Sequence, residues 1–166
     1  AVMTQCAKEG FTVIPFDISN AFIRAPMGEL KVAVRLPELF RESPDDNGVR
    51  MLLKALYGLP ISPRLWAKTL AADLVKLGWE ECKSEPGVYR MFDEQRKAVI
   101  GHITVYVDDC IVGAKDSKIC KEAVAAINEK RPLKEISSEV DDDGTVVRHG
   151  LVYSRSHVLL VCDTKA

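Results

Sequence analysis

Two adjacent carboxylates, Asp108 and Asp109, stand between Ile103-Thr104-Val105 and Ile111-Val112. Both flanks are β-branched, and such runs favour strands because their stiff side chains pack well on a pleated surface. A chain that enters Tyr106-Val107-Asp108-Asp109 on one strand and leaves on another leaves room only for a tight connection. The segment therefore predicts a hairpin that carries two like charges at or near its turn. Adjacent carboxylates repel, so a fold that keeps them together is expected to neutralise them with a cation. An isolated Asp-Asp pair reads more often as a solvated turn, since Asp is a common turn former. Here a third acid, Asp17, follows another strand-like run, Phe11-Thr12-Val13-Ile14-Pro15-Phe16. Asp17 is so distant from Asp108 along the chain that only tertiary folding can unite them. Three carboxylates from separate strands can hold two hard cations, and such a set drives in-line displacement at phosphorus.

The 166 residues suit one domain with a real core. Hydrophobic residues at 47% and charged residues at 28% match an ordinary globular protein. No apolar run approaches the roughly 18 residues that span a bilayer. The basic start, apolar centre and small-residue cleavage site of a signal peptide do not appear, so a secreted protein is not expected. The chain lacks an initiator Met and opens inside a helix-like pattern, and an excised fragment is expected. Cys6, Cys82, Cys110, Cys120 and Cys162 are odd in number, scattered and without Cys-x-x-Cys spacing. Buried free thiols are expected rather than a disulfide framework or a zinc site. His102, His149 and His157 show no metal spacing either. The net charge of −1 exerts no general pull toward nucleic acid. Five bases (Arg50, Lys54, Arg64, Lys68, Lys76) against the single acid Asp73 form a local basic stretch. It reads as a phosphate-tracking surface or as a solvated face.

Along the chain, residues 1–9 predict a helix stopped at Gly10. Phe11–Phe16 predicts a buried strand that delivers Asp17, and Ser19–Ala25 a turn or short helix. Lys31–Leu36 alternates as an exposed strand does. Residues 41–48 form a loop, and Val49–Leu56 a further strand or extended piece. Ser62-Pro63 predicts a helix start with Ser as the cap, and Trp66, Leu70, Leu74 and Leu77 then share one face as core. Val88–Phe92 and Ala98–Val107 predict strands, followed by Ile111–Ala114 pairing back and a helix over Asp116–Lys130. A hairpin over Val146–Val147 and Val158–Val161 is expected near the end. The class is α+β: an antiparallel sheet with helices packed on one face.

Five motifs now resemble a known family. Phe16-Asp17-Ile18-Ser19-Asn20-Ala21-Phe22 and Tyr106-Val107-Asp108-Asp109 look like the two acidic motifs of reverse transcriptases. Leu56-Tyr57-Gly58-Leu59-Pro60-Ile61-Ser62-Pro63-Arg64-Leu65-Trp66 resembles a signature of copia-type LTR retrotransposon polymerases. Leu36-Pro37-Glu38-Leu39-Phe40 and Ser84-Glu85-Pro86-Gly87-Val88-Tyr89 agree with it, so the resemblance covers roughly residues 1–130. It implies a polymerase palm, an RNA-directed DNA polymerase and a two-metal nucleotidyl transfer. Asp17 and Asp108 would be the main metal ligands, with Asp109 in support. The implied cofactor is Mg²⁺, two ions, with Mn²⁺ as the alternative. Backbone amides near Ile18 and Ser19 would hold the triphosphate, and the Phe22 ring would block a ribose 2′-hydroxyl or stand as a core aromatic. Tyr57 and Gly58 would lie against incoming base and template. Arg64 would touch template phosphate or stand exposed in the first helical turn, and Tyr106 would pack near the primer end or in the core. The implied partners are an RNA or DNA template-primer, deoxynucleoside triphosphates and the rest of a Pol polyprotein, with no membrane. The implied location is the cytoplasm, in a virus-like particle, or the nucleus.

Residues 1–166 then read as a single partial palm domain, with fingers, thumb and RNase H regions outside it. Pro60 stands where copia-type members often carry Lys or another polar residue. Glu135-Ile136-Ser137-Ser138-Glu139 replaces the Leu-Gly and hydrophobic strand that follow in the family, so residues 135–166 diverge. The alternative is a catalytically inactive or domesticated remnant that binds nucleic acid or serves a structural role. A metal-dependent nuclease using the same carboxylates is a weaker third reading, because no His or Lys partner stands near them in sequence.

Overall fold

A computed structural model describes residues 2–134, with the backbone of strands at 146–148, 151–153 and 158–160. The chain divides into two compact units, Ala1–Ser19 with Leu70–Ala166, and Asn20–Thr69.

The first unit opens with helix α1 (Val2–Glu9), which ends where Gly10 takes a positive φ of 66°. Strand β1 (Thr12–Ile18) follows, so Asp17 lies inside the strand rather than after it. The Asn20–Thr69 unit contains a short two-stranded ladder of β2 (Ala33–Arg35) and β3 (Val49–Met51). Helix α2 (Ser62–Lys76) begins there and continues past the division at Thr69. Its apolar stripe is core as expected: Trp66, Leu70 and Leu74 are buried, and Leu77 is half-buried. Burying each such side chain contributes up to about 1.5–3 kcal/mol. Ser62 does not cap the helix. Its hydroxyl is fully buried and donates 2.6 Å to the Leu56 carbonyl.

The first unit resumes with β4 (Glu80–Glu81), β5 (Val88–Phe92), β6 (Val99–Tyr106), β7 (Asp109–Ala114), α3 (Ser117–Lys130) and β8 (Leu133–Lys134). Asp116 caps α3 by accepting from the Lys118 amide at 2.8 Å, a contact worth about 1 kcal/mol. The buried stripe of α3 is Cys120, Ala123, Val124 and Ile127. One six-stranded sheet results, in the order β4-β5-β6-β7-β1-β8, and every neighbouring pair is antiparallel. This is the expected α+β class. β1 comes early in the chain yet sits between β7 and β8, because its Phe16 and Ile18 side chains are almost wholly buried.

Two close approaches fix how helices and loops meet this sheet. Gly113 on β7 has no side chain, and a Cβ there would stand 2.4 Å from the Cys6 Sγ of α1. Gly101 on β6 likewise makes room for the buried Trp79 indole, 3.1 Å from where its Cβ would be. The Cys120 thiol donates to the Thr12 carbonyl at 3.2 Å and ties α3 to β1. Cys6, Cys110 and Cys120 are buried thiols, as expected, whereas the Cys82 thiol is only half-buried. The expected terminal hairpin has three strands, β9 (Val146–Arg148), β10 (Leu151–Tyr153) and β11 (Val158–Leu160), in the order β11-β10-β9. Residues 141–144, His149, His157 and Cys162 lie outside the described residues.

Candidate active site

Antiparallel pairing brings the three acids to one end of the sheet. Asp17 on β1 is directly opposite Asp109 on β7, and Asp109 is in turn opposite Tyr106 on β6. Directly opposed side chains point to the same face with Cβ atoms about 4.5–5.5 Å apart. Val107 and Asp108 form the two-residue loop between β6 and β7. The Asp108 carbonyl accepts from the Ile18 amide at 3.0 Å, so the loop is tied to the end of β1. All three carboxylates are half-buried. Like charges directly opposite each other destabilise a sheet unless something neutralises them.

Val107 holds a φ of 58°, while Asp108 does not have a positive φ. That sign pattern belongs to a type II′ turn, where Gly is favoured at the first position. A β-branched residue there is strained by about 1–3 kcal/mol, and such strain concentrates at functional sites. Nothing in the β-branched flanks signals it. Tyr106 is 78% exposed, which places its ring at the surface beside the acids and rules out the core alternative.

The opposite side of Asp17 is closed by β8, where Lys134 takes the register position across from it and Leu133 that across from Ile18. The Ser19 amide donates to the Pro132 carbonyl at 3.2 Å. Ile18 and Ser19 were expected to offer their amides to a triphosphate. Both hydrogens are instead committed within the fold, to Asp108 and to Pro132. Sequence reasoning also missed what anchors this segment. Arg131 grips Asp73 of α2 through Nε at 2.7 Å and a second guanidinium nitrogen at 2.6 Å. The two are far apart in sequence, and neither neighbourhood hints at the pairing.

In the Asn20–Thr69 unit, Phe22 opens a 3₁₀ turn (Phe22–Arg24) and its ring meets that of Tyr57, with centroids 4.7 Å apart. Gly58 follows with a φ of 91°, a conformation that suits glycine. Arg64 is exposed in the first turn of α2, and so are Lys54, Lys68 and Lys76. Arg50 leaves the basic stretch: it forms a two-pronged ion pair with Asp46 at 3.0 and 2.6 Å. That guanidinium, with the Gly48 amide, holds the Asp46 carboxyl well below the usual range.

The donor set fits divalent cations in its chemistry, because carboxylate oxygens are the preferred ligands of Mg²⁺ and Mn²⁺. The backbone also gathers them at one strand end. The side chains stop short of a formed cage: among the described residues, no three His, Cys, Asp or Glu side chains are grouped closely enough to hold a metal ion. No helix among them is long and apolar enough to cross a membrane.

Known proteins resemble this chain in sequence. The chain is similar to the retrovirus-related Pol polyproteins from transposons RE2 and RE1 of Arabidopsis thaliana, at 29% and 28% identity over 134 residues. These matches cover 81% of this chain but 9% of each polyprotein. A putative transposon Ty5-1 protein of Saccharomyces cerevisiae is 29% identical over 120 residues, 72% of this chain and 38% of that protein. The chain thus spans a small part of the length of the curated relatives it matches. A family model described as reverse transcriptase (RNA-dependent DNA polymerase) matches residues 2–141. With most of its length inside that match, the chain belongs to the reverse transcriptase family.

Proposed function

We propose that this chain is the palm core of an RNA-directed DNA polymerase from a copia-type retrotransposon. The observation that carries the reading is the register of Asp17 against Asp109, with Asp108 in a strained loop tied to β1. In this reading a primer 3′-oxygen attacks the α-phosphorus of a deoxynucleoside triphosphate, pyrophosphate leaves, and the hydroxyl proton passes to solvent. Asp17 and Asp108 would hold two divalent cations, and Asp109 would support them. Bound Mg²⁺ or Mn²⁺ supplies charge neutralisation and a lowered pKa for the attacking hydroxyl. The Phe22 ring excludes a ribose 2′-hydroxyl by collision. Tyr57 and Gly58 face the incoming base and template, Arg64 pairs with template phosphate, and the exposed Tyr106 ring supports the primer end. The Ile18 and Ser19 amides brace the sheet, so the triphosphate grip comes from other groups. The remaining partners are the template-primer and the rest of a Pol polyprotein, in the cytoplasm or nucleus.

Primer extension on an RNA template with Mg²⁺ tests this. Asp17→Asn and Asp108→Asn should each abolish synthesis, because each removes a negative ligand. Undiminished synthesis by Asp108→Asn would remove that residue from the role. A second reading, a remnant that binds nucleic acid without catalysis, draws support from the committed Ile18 and Ser19 amides. It predicts salt-sensitive binding that needs neither Mg²⁺ nor Asp17.

A further inference from the structure

We propose that Tyr57 is a positioning residue for sugar discrimination: its ring holds the Phe22 ring where that ring excludes a 2′-hydroxyl. The inference rests on the reading of Phe22 given above and extends it to a residue outside the collision itself.

The backbone prepares the contact. The Ala55 amide donates to the Ala25 carbonyl at 2.8 Å, and the Met27 amide to the Leu53 carbonyl at 3.0 Å. Pro26 and Lys54 form an antiparallel bridge between them. Ala25 and Ala55 are small and fully buried, so these two segments can run close together. Followed outward, one segment leads back to Phe22 and the other forward to Tyr57. The Tyr57 side is fixed a second time. The preceding carbonyl, on Leu56, accepts the buried Ser62 hydroxyl at 2.6 Å and the Leu59 amide at 3.3 Å.

Phe22 itself sits on a 3₁₀ turn of three residues and is only half-buried. Its backbone alone does not choose a rotamer, yet a ring that works by collision must occupy one place. The Tyr57 ring supplies the choice, tilted at 51° to Phe22 with centroids 4.7 Å apart. A pair in this geometry favours the contacting rotamer by roughly 2- to 12-fold. Tyr57 is 52% exposed, so its contribution to the stability of the fold is small and its effect on Phe22 separable.

The test is the ratio of kcat/KM for deoxynucleotide over ribonucleotide, measured by single-nucleotide incorporation in the polyprotein that contains this chain. Phe22→Ala should lose most discrimination. Tyr57→Leu should lower the ratio roughly 2- to 12-fold, with ribonucleotide use rising relative to deoxynucleotide use whatever loss the two share from the missing contact to the base. Tyr57→Phe should keep the ratio, because the ring and not the hydroxyl makes the contact. The double variant Phe22→Ala/Tyr57→Leu should match Phe22→Ala alone. Equal slowing of both nucleotides by Tyr57→Leu, or a loss in Tyr57→Phe as large as in Tyr57→Leu, would overturn the inference and leave Phe22 as the gate. No change in Phe22→Ala would overturn the gate reading and this one with it. A readout independent of turnover is the Phe22 ring resonance in protein with ¹³C-labelled phenylalanine. Tyr57→Leu should shift and broaden it, and an unmoved resonance overturns the contact.

Discussion

Val107 shows how a single side chain can oppose local preference for the sake of its neighbours. Its positive φ turns the chain so that Asp108 caps the end of β1 while Asp109 re-enters the sheet against Asp17. Val107→Gly should relieve strain of about 1–3 kcal/mol and lose about 0.5–1 kcal/mol to the freer unfolded chain. The expected outcome is a slightly higher urea midpoint with several-fold slower primer extension, because the loop that presents Asp108 loosens. Slower extension with no gain in stability would show that the loop is not strained. The identities of the three acids could be read directly, because strand-like runs led into them. The φ of Val107 could not, because the turn is imposed by pairing on both sides. Thiol chemistry separates the cysteines in the same residue-by-residue way. Burial pushes the Cys6 and Cys120 thiols up to about 11. The hydroxyl of Ser84 beside Cys82 lowers its pKa, and Cys82 is the less buried thiol. At neutral pH iodoacetamide should therefore label Cys82 well before Cys6 or Cys120, as read by peptide mass spectrometry.

Among the elements, β7 carries both the site and the helix packing. Gly113 lies four residues from Asp109 and leaves the space that Cys6 fills. Gly113→Ala should cost about 1–3 kcal/mol, because an added methyl meets a short side chain in a packed core. Cys6→Ala in the same protein should recover part of that loss, and a double-mutant cycle in urea measures the coupling. Purely additive effects would show that the two do not share the space. The helices were readable from their apolar spacing and from signals such as Gly10 and Asp116. The position of β8 was not. It is held by Arg131 on Asp73 and by the Ser19–Pro132 hydrogen bond, contacts between segments with no shared sequence pattern. For the same reason Ser62 read as a helix cap, although burial turns its hydroxyl back to Leu56.

At the scale of the whole molecule, a histidine outside the site should contribute to acid sensitivity. Burial, reinforced by the Arg90 guanidinium and opposed by Glu9, holds His102 below its ordinary value of 6.5. The folded state then binds fewer protons than the unfolded state, so stability falls as pH drops through 6.5. Asp46 is held well below the carboxylate range, and its contribution is lost only in stronger acid. The urea midpoint should thus fall between pH 7.5 and 5.5, and His102→Gln should flatten that fall. An equally steep fall in the variant would place the cause elsewhere. The sheet order has a consequence for the protein's birth. β1 is made early, but its partners β7 and β8 follow only after the 20–69 segment and α2. At about 5–20 residues per second, roughly ninety residues of synthesis leave this apolar strand without its neighbours for about 5–20 s. A nascent chain stalled before Ala114 therefore carries an open edge at Thr12–Ile18, and it is in that interval that chaperone capture or aggregation competes with folding.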